Sequence, residues 1–517
     1  MTRWLAGAAP RAALDNDAAV SETHSAVVFF SGDRAYKLKK PVNLGFLDFS
    51  TPQAREAACH RETELNQRFA ADVYLGVAEV RDPAGQTCDH LVVMRRLPAG
   101  RRLAALVRSG SPVEEPVRRV ARILATQHAS APRNPEIDSQ GSRDALWQRW
   151  KDNFAQIRQL PSDLVDASVI DEAEHLTDRF LADRDPLFAA RVRAARIVDG
   201  HGDLLADDIF CLDDGPRILD CLDFDDRLRW VDGLDDAAFL AMDLERLGAP
   251  RLAEQFMGWY AEYSGDPAPT SLRHHYAAYR ALVRAKVDFL RATQGDPEAA
   301  AVARQLLGMT LKHLRAAAVT LVMIGGLPGT GKSALSAAVA ERLGFTVLSS
   351  DQIRKELAGV SPGEHHAAAY GTGLYSRAWT GRTYREMLHR ASELLALGES
   401  VILDASWTFA EGRAAAASVA EDTAADLVQL RCVATLTVTT KRMHDRTGIS
   451  DADPGIATRM EADQEPWPDV ITIDTASGTL TTPAGEPGPP AQQALNAIRP
   501  HGPEHTWRPT RPYMLPD

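Results

Sequence analysis

Cysteine is scarce in this 517-residue sequence, and the five present, Cys59, Cys88, Cys211, Cys221 and Cys432, form no C-x-x-C pair. That scatter excludes a zinc ribbon and fits reduced thiols rather than a disulfide frame. Long apolar runs are missing as well, since none approaches the roughly 20 residues of a membrane-spanning helix. The opening M-T-R-W-L-A-G-A-A-P lacks the unbroken apolar core of a signal peptide. The expectation is a cytoplasmic chain with no membrane partner. Positive charge is in deficit, 58 Lys and Arg against 70 Asp and Glu, for a formal net charge of −12. This argues against a general affinity for nucleic acid and for a small-molecule partner. The sequence names no protein partner and shows no internal repeat.

What is present is more specific. The chain is longer than one hydrophobic core usually organises, so two or three domains are expected. An apolar run, L-V-M-I, feeds into Gly326-Leu327-Pro328-Gly329-Thr330-Gly331-Lys332-Ser333 and then into the helix-compatible A-L-S-A-A-V-A-E-R-L. This is the pattern G-x-x-x-x-G-K-S of a phosphate-binding P-loop. Its glycines let backbone N–H groups curl around phosphates, Lys332 reaches their oxygens, and Ser333 offers a hydroxyl to Mg²⁺. A nucleoside triphosphate, ATP, is the expected cofactor together with Mg²⁺.

Downstream runs T-V-L-S-S-D (346–351), S-V-I-L-D-A (400–405) and L-V-Q-L-R-C-V (427–433) read as short buried strands between helices, the cadence of an α/β fold with a parallel sheet. Asp404, closing its strand, suits the second metal-organising carboxylate. Asp351 and Arg354 form D-x-x-R on the first turn of a helix, which puts a carboxylate and a guanidinium on one face. Asp351 would take the proton of an acceptor hydroxyl and Arg354 would hold an anion. Arg442 and Arg446, four apart on a further helix, would clamp phosphates as a lid closes, or form a solvated face. The aromatics, glycines and arginines of 370–384 would line an acceptor pocket or belong to the core.

Towards the amino terminus, A-V-V-F-F-S-G-D-R-A-Y-K-L-K-K (26–40) predicts a hairpin, 51–70 a helix holding Glu62, and two further strand-like runs follow. Helical patterning dominates 113–195 and 232–317, with strands near 209–212 and 217–222 between them. The expected division is therefore an α+β domain over 1–317, an α/β domain over 318–480, and a Pro-rich tail over 481–517, extended or disordered and without chemistry.

Two resemblances sharpen these expectations. G-L-P-G-T-G-K-S followed by S-S-D-Q-I-R-K-E-L and V-I-L-D-A-S-W resembles the compact P-loop kinases that include polynucleotide 5′-kinases, gluconate kinases and zeta toxins, over roughly 318–475. It implies that Asp351 acts on the acceptor hydroxyl and that Arg354 binds phosphate. H-G-D-L-L-A-D-D (201–208) and R-I-L-D-C-L-D-F (217–224) resemble the motifs of aminoglycoside phosphotransferases, which have a protein-kinase-like fold. That resemblance implies Asp203 as base, Asp208 and Asp223 on Mg²⁺, with Asp220 as the weaker alternative to Asp223. It also implies Lys37, or Lys39 on the same strand face, on the nucleotide phosphates with Glu62 as its partner, and a hinge at 92–97. Asp208 departs from the family, which usually has Asn there, and no G-x-G-x-x-G precedes the lysine. The domain order is similar to that of bacterial bifunctional aminoglycoside phosphotransferase/ATP-binding proteins.

The implied activity is an ATP-dependent phosphotransferase acting on a small hydroxylated acceptor through the P-loop half, with the amino-terminal half as a second small-molecule kinase. Alternatives are an amino-terminal half that senses a nucleotide or metabolite without catalysis, a P-loop half that is an ATPase switch, or a polynucleotide 5′-kinase.

Overall fold

The computed structural model describes residues 19–22, 26–43, 48–360, 373–444, 454–482 and 485–499. The chain divides into two compact units, one formed by Met1–Gly141 with Ala195–Asp266 and the other by Ser142–Ala194 with Pro267–Asp517.

In the first unit, β1 (Ala19–Glu22), β2 (Ala26–Ser31), β3 (Arg34–Lys39), β4 (Tyr74–Arg81) and β5 (Thr87–Arg95) form an antiparallel sheet of order β1-β2-β3-β5-β4. The expected hairpin is β2–β3, turning at Gly32 with φ +55°, a left-handed value that glycine adopts without strain. Period-2 alternation puts Lys37 and Lys39 on one face of β3. The helix Pro52–Ala70 starts where expected: the Thr51 side chain accepts from the Ala54 N–H, and proline occupies the first turn. Its buried face carries Cys59, Glu62, Leu65, Asn66 and Phe69 at helical spacing, which delivers Glu62 to the sheet. The helix Glu114–Ser130 buries Val117, Val120, Ala121, Leu124 and His128. Two short antiparallel ribbons follow: β6 (Ile197–Asp199) with β9 (Trp230–Asp232), and β7 (Ile209–Leu212) with β8 (Gly215–Ile218). The helices Gly233–Arg246 and Pro250–Ser264 complete the unit.

The second unit is built on a parallel sheet of order β11-β12-β10-β13-β14, with β10 (Thr320–Gly325), β11 (Thr346–Ser349), β12 (Val401–Asp404), β13 (Asp426–Val433) and β14 (Ile471–Asp474). β10 and β12 are buried along their whole length, as the continuous apolar runs T-L-V-M-I-G and V-I-L-D require in a sheet covered on both faces. The β14 strand is an addition to the three expected strands that share the sheet with β10.

The division differs from the expected 1–317, 318–480 and 481–517. Helices within 142–194 and 267–317 pack with the parallel sheet's own helices rather than ending a separate amino-terminal domain. Ser271 Oγ donates to the Gly398 carbonyl at 2.6 Å, the buried Arg184 donates to the Thr423 carbonyl at 2.5 Å, and Arg179 pairs with Asp426. The Pro-rich tail is corrected too: Pro489–Ile498 is a helix with proline in its first turn. Its Ala491, Ala494, Leu495 and Ile498 share a core with Val339, Leu343 and Ile473. Proline composition suggested an extended segment, but the prolines stand where a helix tolerates them and the apolar residues behind them keep helical spacing.

Candidate active sites

The first site is a charge network across the antiparallel sheet. Lys37 Nζ donates to Glu62 Oε1 at 2.8 Å and to Asp220 Oδ1 at 2.7 Å. Lys39 Nζ lies 2.8 Å from Glu62 Oε2 and 2.7 Å from Asp223 Oδ2. Burial alone would push Lys37 down, but the Asp220 and Glu62 carboxylates outweigh it and hold its pKa well above the ordinary value. Burial would likewise raise Glu62, yet Lys37 and Lys39 hold it low. The Lys37–Glu62 pairing is therefore as expected. Both candidate metal-side aspartates are lysine-paired: Asp223 is engaged by Lys39 and Asp220 by Lys37. Asp220 takes a left-handed backbone, φ +66°, and its N–H donates to the Tyr74 hydroxyl at 3.2 Å.

Asp208 sits close to the same centre. Burial first, then the charges of Asp220 and Asp203, push its pKa well above the ordinary carboxylate range. The segment 201–203 is held from behind by Asp236, which accepts the His201 N–H at 2.7 Å and the Gly202 N–H at 2.8 Å. His128 Nε2 lies 3.0 Å from the same carboxylate, and the Tyr260 hydroxyl 2.8 Å from His128 Nδ1. Burial opposes the charge on Asp236, and the His128 contact more than offsets it, holding that carboxyl far below its usual range. His201 Nε2 donates to the Leu219 carbonyl at 3.1 Å, tying the loop to the residue before Asp220. Sequence reading missed His128, Asp236 and Tyr260. They lie in three separate helical runs, and only His128, closing an apolar stripe, carried any local signal.

The second site lies at the carboxyl edge of the parallel sheet. After β10 the loop turns through Gly326 (φ +142°), Gly329 (φ +81°) and Gly331 (φ +87°) into the helix Lys332–Leu343. A Cβ on Gly326 would lie 2.6 Å from Thr330 Oγ1 and 2.7 Å from the Cys432 carbonyl, so only glycine fits. Thr330 Oγ1 donates to the Leu327 carbonyl at 2.7 Å, closing the loop over Pro328. Lys332 and Ser333 thereby open the helix, where its first N–H groups and dipole favour an anion. Cys432 beneath the loop is a buried thiol pushed up to about 12, which makes it inert.

Register places the other groups. Asp404 ends β12 opposite Ile324 of β10 and Ser349 of β11, and is 4% exposed. Asp351 and Arg354 lie in Ser350–Ala358, the helix that follows β11, and pair with each other, Arg354 Nη1 donating to Asp351 Oδ1 at 2.9 Å. The Arg354 guanidinium stands 4.9 Å over the Tyr375 ring. Tyr384 reaches Ser406 Oγ at 3.3 Å and accepts the Trp407 N–H at 3.2 Å. Trp407, fully buried, is held at φ +54° with its carbonyl accepting from Arg413 at 2.8 Å. From 370–384, then, Tyr375 and Tyr384 are half-buried beside these groups rather than in the core, while 370–372 lie outside the described residues. Arg442 Nη1 and Nη2 both donate to Thr475 at 2.9 Å, and Thr475 Oγ1 donates to the Thr330 carbonyl at 2.6 Å, so Arg442 is tied to the P-loop. Arg446 lies outside the described residues.

No group of three or more His, Cys, Asp or Glu side chains among the described residues is arranged to hold a metal ion. Mg²⁺ does not need one: it keeps several waters and takes one or two protein oxygens with substrate phosphates. The hydroxyl of Ser333 and the buried carboxylate of Asp404 fit that donor set, as do Asp208 and Asp220 in the first unit. No helix among the described residues is long and apolar enough to cross a membrane.

The fold combines an α+β unit built on an antiparallel sheet with an α/β unit built on a parallel sheet, and residues 321–466 of the latter match a family model described as an AAA domain, AAA_33. Over 460 residues, 88% of this chain and 92% of theirs, the sequence is 48% identical to the uncharacterized proteins Rv2004c of Mycobacterium tuberculosis (strain ATCC 25618 / H37Rv) and Mb2027c of Mycobacterium bovis (strain ATCC BAA-935 / AF2122/97), and the chain belongs to their family. Among solved structures it is similar to a choline/ethanolamine kinase family protein from Mesorhizobium loti, 17% identical over 61% of this chain and 98% of that one with a TM-score of 0.36. It is also similar to the Mycobacterium tuberculosis APS kinase CysC, 20% identical over 35% of this chain and 98% of that one with a TM-score of 0.26.

Proposed function

We propose that the P-loop unit transfers the γ-phosphoryl group of ATP to a hydroxyl of a small acceptor. One observation carries this reading: the ends of three adjacent parallel strands present the P-loop, Asp404, and the Asp351–Arg354 pair. A nucleotide switch needs the first two groups; only an acceptor gives the third a purpose. Lys332 and the loop N–H groups hold the β- and γ-phosphates. Ser333 and Asp404 hold Mg²⁺, which when bound offsets charge on the phosphate oxygens. Asp351 takes the acceptor's proton as the acceptor oxygen bonds to the γ-phosphorus and the bond to the ADP oxygen breaks. Arg354 leaves Asp351 for the phosphate oxygens, and Arg442 closes the nucleotide side.

The first unit we read as a second small-molecule kinase, with Lys37 on the phosphates, Glu62 orienting Lys37, Asp203 as base, and Asp208 and Asp220 on the metal. One observation favours the alternative of a binding module without turnover. Asp208, a carboxylate crowded by Asp220 and Asp203, adds negative charge where the phosphates of a nucleotide would lie. The expected setting for both reactions is the cytoplasm, and the expected partners are small hydroxylated molecules rather than nucleic acid.

The test is a screen of hydroxylated acceptors for ADP release matched by phosphorylated product, in the full chain and in Asp351→Asn and Asp203→Asn variants. Acceptor-dependent turnover that Asp351→Asn abolishes supports the P-loop reading. ADP release that ignores both acceptor and Asp351 would sink it. Loss of a distinct acceptor activity in Asp203→Asn would rule out the binding module.

A further inference from the structure

A separate cluster of guanidinium groups lies in the first unit. The helix Glu114–Ser130 buries one apolar stripe and leaves Arg118, Arg119 and Arg122 outside it. Arg119 and Arg122 line a cavity of about 390 Å³ against the β7–β8 turn and Arg217, floored by Ile123 and Pro216. With Arg118 and Tyr263 the same two arginines line an adjoining cavity of about 200 Å³.

The guanidinium groups are not equally committed. Arg217 is engaged at all three nitrogens, donating to Asp72 at 2.8 Å, to Asp214 at 2.8 Å and to the Gly215 carbonyl at 2.9 Å. Arg119 gives only its Nε to Glu115, at 3.0 Å, and Arg118 only its Nε to the Tyr263 hydroxyl, at 2.7 Å. Arg122 has no side-chain partner among the described residues. With Arg217 neutralised by Asp72 and Asp214, the three guanidinium groups of the helix face one carboxylate, Glu115, in the walls of the two cavities. Arg118 and Arg122 stand four apart on one helix and Arg119 and Arg122 three apart, spacings at which like charges repel and destabilise a helix. A local excess of positive charge thus persists on a chain whose net charge is −12. Planar guanidinium forks with free N–H groups on adjacent turns match tetrahedral phosphate oxygens, and the two joined hollows leave room for two such groups.

We propose that this double cavity binds a small metabolite carrying two phosphate groups, one held by Arg119 and Arg122 and the other reaching Arg118 and Tyr263. None of these residues belongs to the Lys37 network or to the P-loop, so the site stands whether or not either unit transfers phosphate.

The test is calorimetric titration of the full chain with fructose 1,6-bisphosphate, both nucleotide sites being saturated with Mg²⁺ and a non-hydrolysable ATP analogue. The expected result is one saturable site that weakens with added salt. Fructose 6-phosphate should bind more weakly. Arg119→Ala/Arg122→Ala should reduce affinity at least about tenfold, as loss of charged hydrogen bonds predicts, while Arg122→Lys loses less. Because these side chains lie outside the helix's buried stripe, the double variant should melt as the parent does. Binding that survives in the double variant, that disappears in Lys332→Ala, or that never saturates would overturn the proposal.

Discussion

The two candidate sites use different materials. In the first unit, two lysines and three carboxylates from β3, the helix Pro52–Ala70 and the segment after β8 pair with one another within 2.8 Å. In the second, a loop of backbone amides at a helix start does the work, with one lysine, one hydroxyl and carboxylates placed by strand register. A charge network depends on each of its distant members, because removing one leaves a buried opposite charge without a partner. A backbone loop depends on glycine conformation and on the sheet beneath it. Damage should therefore propagate differently in the two units.

The largest effect should come from the sheet support of the second unit. Deleting 485–517 removes Ala491, Ala494, Leu495 and Ile498 from the core beneath β14. We expect destabilisation of about 5 kcal/mol or more from the lost burial and the cavity left behind, read as a lowered denaturant midpoint with β14 losing hydrogen-exchange protection. An unchanged midpoint would mean that the helix is an ornament.

Next in size, Asp236→Ala leaves the His201 and Gly202 N–H groups buried without an acceptor. We expect about 3–5 kcal/mol of destabilisation in the first unit, with nucleotide binding by the P-loop unit preserved. Loss of both together would erase the contrast between the units. Lys332→Ala should act the opposite way: nucleotide stoichiometry falls by one and P-loop affinity drops about tenfold to a hundredfold, while the melting of the first unit stays put. Asp220→Asn and Asp223→Asn separate the two aspartates. If Asp220 is the metal-side group, its loss should weaken Mg²⁺-dependent nucleotide binding in the first unit by about tenfold, and loss of Asp223 by less. The reverse ranking would restore the assignment made from sequence alone.

The last effect concerns acid. His275 is fully buried in the second unit, stacked on Phe180 and accepting from Trp150 Nε1 at 3.1 Å, and burial pushes it down to about 3 from the usual 6.5. It is neutral in the folded chain, whereas the unfolded chain binds a proton there below 6.5. Its contribution is therefore present above 6.5 and lost as pH falls towards 3, about 2 kcal/mol by pH 5. Glu399, pushed up to about 7 by burial, acts in the opposite sense: its contribution is present at low pH and lost as pH rises towards 7. The two partly mask one another. Denaturant titrations between pH 5 and 6.5 should show a flatter acid loss in His275→Gln than in the parent, and equal slopes would show that His275 is not the group.

How far each site was legible follows from the same contrast. The P-loop, Asp404, and Asp351 with Arg354 were readable because each lies within a few residues of a strand end, and parallel register aligns strand ends automatically. Lys37 and Glu62 were readable only through resemblance. Asp220 and Asp223 were not separable, being three apart in one irregular segment, until the left-handed backbone at Asp220 turned its carboxylate to Lys37 and Asp223 met Lys39. Asp236 carried no local pattern, and His128 only its place at the end of an apolar stripe. The proline-rich tail misled because composition was weighed there without the helical spacing of Ala491, Ala494, Leu495 and Ile498.

The sequence alone therefore determined the local chemistry: which stretch cradles phosphate, which strands are buried on both faces, and where helices begin. Those properties depend on neighbours within a turn or a pleat, and such neighbours are covalently close. Only the tertiary structure decided which aspartate faces which lysine, that the helices of 142–194 and 267–317 compact with the parallel sheet, and that free guanidinium groups gather over the β7–β8 turn. These depend on side chains far apart in the chain, as Lys37 and Asp220 are at 183 positions and Arg184 and Thr423 at 239. Chain order carries no pairwise signal over that span, and packing alone brings such groups together.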